Sequence, residues 1–262
     1  MRYKNKINIL FIIFALIFSS CANKQNEKNT YNFISYCAVE KTNENYICFN
    51  YPLFNDLKIN ANEINELIII FIESILQNRF QLDFRGNMKG APEIIDWKIK
   101  NYSDLIIDVN YTIIKNNDNY FCVIFEGLYN CKKSPHPTHI FLPLIIDIKN
   151  IKTVILNDLY KTDDDFINIL RDEISNQINI GLANRIGCEP EDIPDDVVEL
   201  IVNDINDEHF FDQLININNN FLSGTSYFLT DDGLGISISV PYVLGDHFEV
   251  IIEYNKLSSY LI

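Results

Sequence analysis

The chain has 262 residues, 47% of them hydrophobic and with 18 Phe and 14 Tyr, enough for a full buried core in one domain or two closely joined ones. Its 36 acidic against 21 basic residues give a formal net charge of −15. That balance excludes nucleic acid and anionic lipid headgroups as attracting partners and turns the long-range field toward cationic proteins, peptides or metal ions.

Arg2, Lys4 and Lys6 open the chain, Ile7 to Phe18 is an apolar run, and Phe18-Ser19-Ser20-Cys21 follows. The run is too short for a spanning helix, which needs about 20 apolar residues, and two small residues before a cysteine predict a bacterial lipoprotein signal. Cleavage after residue 20 makes Cys21 the lipid attachment site and first mature residue. It also removes three basic residues and no acidic one, so the mature charge becomes −18. Ala22 stands where an inner-membrane retention Asp would sit, so the expected location is the cell envelope, lipid-anchored, with the outer membrane or cell surface favoured over a periplasmic face. Residues 22–30 hold nothing apolar beyond Ala22 and predict a flexible tether.

The body follows, expected as an N-terminal half over 31–181 and a C-terminal half over 182–262. Residues 31–51 predict two strands closing at Tyr51-Pro52, with Cys37 and Cys48 flanking a turn at 42–45, so that the pair is a candidate disulfide across a hairpin. Asn60 and Glu63 have capping-box spacing, and Ile64, Leu67, Ile68, Phe71, Ile72, Ile75 and Leu76 form the stripe of a one-sided helix. A loop is expected over 85–90. From Trp97 to Ile148 three strand-like runs, parted by Asn116-Asn117-Asp118-Asn119 and by Cys131 to Pro137, predict an antiparallel meander. A tight turn near 147–150 leads to a short strand. A second helix then begins at Asp163-Asp164-Asp165, buries Phe166, Ile169, Leu170, Ile174 and Ile178, and is expected to end at Gly181. Short helices over 189–215 and three strands from Thr225 to Tyr254 complete an α+β fold of antiparallel sheets with packed helices.

Catalytic signatures are lacking. The chain has no Gly-rich phosphate loop followed by Lys, no Gly-x-Ser-x-Gly elbow and no His-Glu-x-x-His pair, so no catalytic residue, cofactor or metal is assigned and no enzyme is expected. His136-Pro137-Thr138-His139 is the one histidine cluster. A zinc site there would need a further ligand, and the plainer expectation is a loop whose histidines fix backbone groups. The three aspartates at 163–165 lack calcium-loop spacing and suit a helix start.

Two sets of residues carry a family resemblance. The first is Tyr51-Pro52-Leu53-Phe54-Asn55-Asp56-Leu57-Lys58 before a helix, then Tyr120 to Tyr129, His136-Pro137 and Leu144 to Tyr160. The second is Tyr227-Phe228-Leu229-Thr230-Asp231-Asp232-Gly233-Leu234, then Pro241-Tyr242, Gly245 and Ile252-Glu253-Tyr254 with Leu257 and Leu261. Together they resemble the RsiV-like and PdaC-like extracellular region, shared by a lysozyme-sensing anti-sigma factor and the non-catalytic part of a peptidoglycan deacetylase. The resemblance implies an α+β module that works by binding, with lysozyme or another cationic or cell-wall partner as ligand. Only six residues precede the apolar run, so no sigma-binding segment is expected, and no stretch remains to encode a deacetylase. The alternatives are a cell-wall-modifying enzyme using His136 or His139, or an envelope scaffold.

Overall fold

A computed structural model describes residues 31–41, 45–56, 60–80, 104–132, 134–216 and 225–262. The expected lipobox and Cys21, the tether and the 85–90 loop lie outside these residues. Residues Tyr31–Ile262 form one compact unit of α+β architecture.

A six-stranded sheet takes the first half of the body. Its strands are β1 (Phe33–Lys41), β2 (Tyr46–Phe54), β3 (Ile106–Asn116), β4 (Tyr120–Asn130), β5 (Thr138–Asp147) and β6 (Lys152–Thr153), hydrogen-bonded in that order. Every neighbouring pair is antiparallel except β2 and β3, which run parallel through Tyr46↔Ile106 to Phe49↔Val109. The sheet is therefore mixed rather than wholly antiparallel, because the connection from β2 to β3 contains the helix α1 (Ala61–Phe80), a crossover of the kind that parallel strands require. Strand β2 also passes through Pro52 to Phe54 instead of closing there. Pro52 lies beyond the stretch paired with β3, so its missing N–H costs no ladder bond on that side.

Helix α1 shows why the stripe was readable. Ile64, Ile68, Phe71, Ile72, Ile75 and Leu76 are all buried, with Leu67 half-buried against them. At its start the Asn60 carbonyl accepts the N–H groups of Glu63 and Ile64. The helix packs on one face of the large sheet, meeting Ile47, Phe49, Ile107, Val109, Phe121, Val123, Phe125 and the even-numbered residues Ile140 to Ile146 of β5. This is the first core.

The second core uses the opposite face of β4 and β5. Cys122, Ile124 and Ile145 alternate with first-core residues along their strands, as the two-residue pleat dictates. They meet a three-stranded antiparallel sheet of β7 (Ser226–Leu229), β8 (Gly233–Ser239) and β9 (His247–Glu253). In chain order between β6 and β7 come the short helix α2 (Leu156–Leu159), the long α3 (Asp164–Ile186), a 3₁₀ turn at Pro190–Asp192, α4 (Asp195–Asn206) and α5 (Glu208–Asn216); α6 (Tyr254–Leu257) follows β9. In β9, His247 meets Phe141 of the large sheet while its neighbour Phe248 meets Gly181 of α3, so β9 lies between the two. Lys115 ties β3 to the hairpin between β7 and β8, donating to the Thr230 carbonyl at 2.6 Å.

Helix α3 begins as its sequence predicts, with the Asp163 carboxylate accepting from Phe166 N–H at 3.1 Å and Asp164 and Asp165 in the first turn. It does not end at Gly181. The helix runs on through residues 181 and 182 to Ile186, and the residue that stops it is Gly187, at φ 76°, with both Gly187 and Cys188 N–H bonded to the Ala183 carbonyl. Gly181 serves packing: a Cβ there would lie 2.5 Å from the Phe248 ring and 3.1 Å from the Glu249 carbonyl oxygen.

Candidate functional site

Two loops that the sequence separates by a hundred residues meet at the end of α3. One is the approach to β5, where Ser134 donates to the His136 carbonyl at 2.6 Å and His136 Nδ1 lies 3.1 Å from the Pro137 carbonyl. The other is the 3₁₀ turn Tyr242–Leu244 between β8 and β9, closed by Gly245 at φ 93° and Asp246 at φ 69°. The His136 and Tyr242 rings stack at 3.8 Å and 12°. The Asp246 carboxylate accepts the His139 N–H at 2.7 Å. Arg185, in the last turn of α3, completes the join by donating to the Gly245 carbonyl at 3.1 Å and pairing with Glu126 of β4 at 3.3 Å.

The result is a stiff rim with an apolar tip. Tyr242 is 43% exposed and Val243 81% exposed, although both sit on a turn fixed from three elements. Below the tip, His247 is buried against Phe141, its Nε2 3.0 Å from Glu249 Oε1. At that separation the alignment misses a hydrogen bond. Burial, then the Arg185 charge, hold His139 below the ordinary imidazole value of 6.5 against the opposing pull of Asp246. His139 is therefore neutral at pH 7.

Among the described residues no three His, Cys, Asp or Glu side chains converge to hold a metal ion. His136 and His139 instead take part in the rim, one through its ring and its contact with Pro137 and the other through its backbone. Cys37 and Cys48 stand side by side as thiols, Sγ to Sγ 3.2 Å, on the β1–β2 hairpin. No described helix is long and apolar enough to cross a membrane.

A second feature begins two residues beyond the cap of α3. From Ile186 to Asn255 the sequence contains no Lys or Arg and 15 Asp or Glu, a number equal to the whole formal charge; the rest of the chain holds 21 of each sign. Nine of the fifteen fall between Glu189 and Asp212 with their side chains exposed. Among the described residues the seven from Glu189 to Asp204 form no ion pair with a Lys or Arg. On α4 they surround Leu200, 51% exposed, with Asp196 one turn before it and Asp204 one turn after. A net charge counted over the whole chain hides this concentration, and a count by segment would have found it.

No protein-family model matches the sequence, and no curated protein matches it. Solved structures do. The chain is similar to a DUF3298 family protein from Pseudomonas aeruginosa, at 10% identity and a TM-score of 0.50, over 90% of this chain and 95% of that one. It is also similar to a member of the DUF3298 family from Bacteroides fragilis, at 14% identity and a TM-score of 0.48, over 90% of this chain and 96% of that one. At such identity the likeness to the first speaks for the fold, whose two sheets and helices it spans almost end to end.

Proposed function

We propose that this chain is a lipid-anchored extracytoplasmic binding module whose partner is a cationic protein, lysozyme first among the candidates. The observation that carries the reading is the exposed acidic surface from Glu189 to Asp212, part of the stretch from Ile186 to Asn255 that has no Lys or Arg while the rest of the chain holds 21 of each sign. Such a surface attracts basic partners over a Debye length of about 8 Å at physiological salt and raises their rate of encounter. Charge alone gives attraction without shape, and the rim beside it supplies a shaped contact: Tyr242 and Val243 on a turn held by His136, Asp246 and Arg185. Tyrosine is among the side chains in which binding energy concentrates at protein interfaces. The resemblance to the RsiV-like and PdaC-like region supports the same reading, as does the predicted lipid on Cys21, which would hold the module at an envelope surface.

The test uses the anchor and the binding together. Membranes carrying the lipoprotein should retain lysozyme on sedimentation, while membranes carrying an unrelated lipoprotein of equal net charge should not. Equal retention by both would reduce the reading to generic charge attraction, and a Cys21→Ser variant found at the same membrane would remove the anchor from it.

A further inference from the structure

We propose that Cys37 and Cys48 join in a disulfide that fastens the free edge strand of the large sheet to its neighbour. Among the described residues strand β1 is the first in the sheet order and pairs on one side only, with β2. Unpaired edges of this length are prone to add foreign strands and to fray, so natural sheets protect them. Here the protection is built into the register. Val39 lies opposite Cys48 and Cys37 opposite Asn50, which makes the two cysteines diagonal neighbours on one face, away from the first core. Their sulfurs are 3.2 Å apart, and closing to a bond of about 2.05 Å asks for a shift of only about an ångström.

Surrounding groups hold the pair in place. The Asn50 side-chain amide donates to Asn110 Oδ1 at 2.7 Å and lies 3.7 Å from Cys48 Sγ, so β2 and β3 together fix the inner cysteine. Of the other cysteines, Cys122 is enclosed in the second core and cannot compete. Burial, with the neighbouring Cys48 sulfur, pushes the Cys37 thiol up to about 12, which makes it a poor nucleophile at neutral pH and suits a lasting bond rather than a cycling one.

The reaction needs an external disulfide as oxidant. Each thiol gives up one proton and one electron, the Cys37–Cys48 bond forms, the oxidant's own S–S bond breaks, and its two sulfurs leave as thiols. An extracytoplasmic compartment of the kind the signal sequence predicts supplies such oxidants.

The full chain, equilibrated with glutathione and glutathione disulfide, then alkylated and mapped without reduction, tests the proposal. The expected result is a peptide linked through Cys37 and Cys48, an intact mass lower by two hydrogens, and β1 amides that exchange about tenfold more slowly than in a C37S/C48S double variant. The linked peptide is read on the natural sequence, so a variant that failed to fold would not obscure it. Recovery of both cysteines alkylated, capped by glutathione or linked to another partner would overturn the bond. Unchanged β1 exchange in the oxidised protein would overturn the fastening.

Discussion

Gly181 sits inside α3, five residues before its end, where a glycine normally costs helix stability, and the space beside it explains its presence. The Phe248 ring occupies the position of a side chain. A Gly181→Val substitution must push α3 from β9 or turn Phe248 out of its place, and we expect a loss of about 1–3 kcal/mol in denaturant unfolding. A stability equal to the natural chain would show that the ring can yield freely. His139 makes a second residue-level prediction, in which the sign follows from its environment. Its pKa in the folded protein is lowered below 6.5, so the unfolded chain binds the proton more tightly. Stability is then full above 6.5 and is lost as pH falls below that value toward the folded pKa. Arg185 and His247 face His139 and oppose its charging, whereas Asp246 and Glu126 favour it. A His139→Gln variant should show a shallower fall of melting temperature with acid than the natural chain; an identical slope would place the acid sensitivity elsewhere.

At the scale of elements, the stripe of α1, the meander β3 to β5 and the start of α3 were all legible because each rests on local signals: a 3.6-residue period, alternation, or a carboxylate at a helix start. What escaped was non-local. Gly181 and Gly187 are both plausible stops in one dimension, and only the neighbouring β9 shows that one is a packing position and the other the cap. The parallel pairing of β2 with β3 depends on the path of the crossover, and the continuation through Pro52 on where β3 stops pairing. The rim was invisible for the same reason, since His136 and Tyr242 carry no sequence mark of their contact. The acidic surface was legible in principle. On α4 it predicts that replacing Asp195, Asp196, Glu199 and Asp204 by their amides lowers the association rate of a cationic partner at low salt by about tenfold or more, with little effect at high salt and little on the fold. An unchanged rate would mean that this helix does not face the partner.

For the molecule as a whole, the two cores share β4 and β5. Phe121, Val123 and Phe125 point into the first core and Cys122 and Ile124 into the second, so neither core can be lost without stripping one face of the same strands. We therefore expect Tyr31–Ile262 to unfold in one cooperative transition despite its length. Ile72→Ala in the first core and Ile178→Ala in the second should each cost about 2–5 kcal/mol and move that same transition, while two separable transitions would divide the body into independent domains. The binding account makes its own demand on the whole molecule, because an acidic surface and a rigid apolar rim predict different responses to salt. The most direct measurement is a calorimetric titration of the body with lysozyme at physiological salt, repeated near 1 M salt, where the Debye length falls to about 3 Å. The account predicts one-to-one binding that weakens at high salt but persists, and that a Tyr242→Ala substitution abolishes the persistent part. Binding that disappears with salt, or heat no different from that of an unrelated acidic protein, would contradict it.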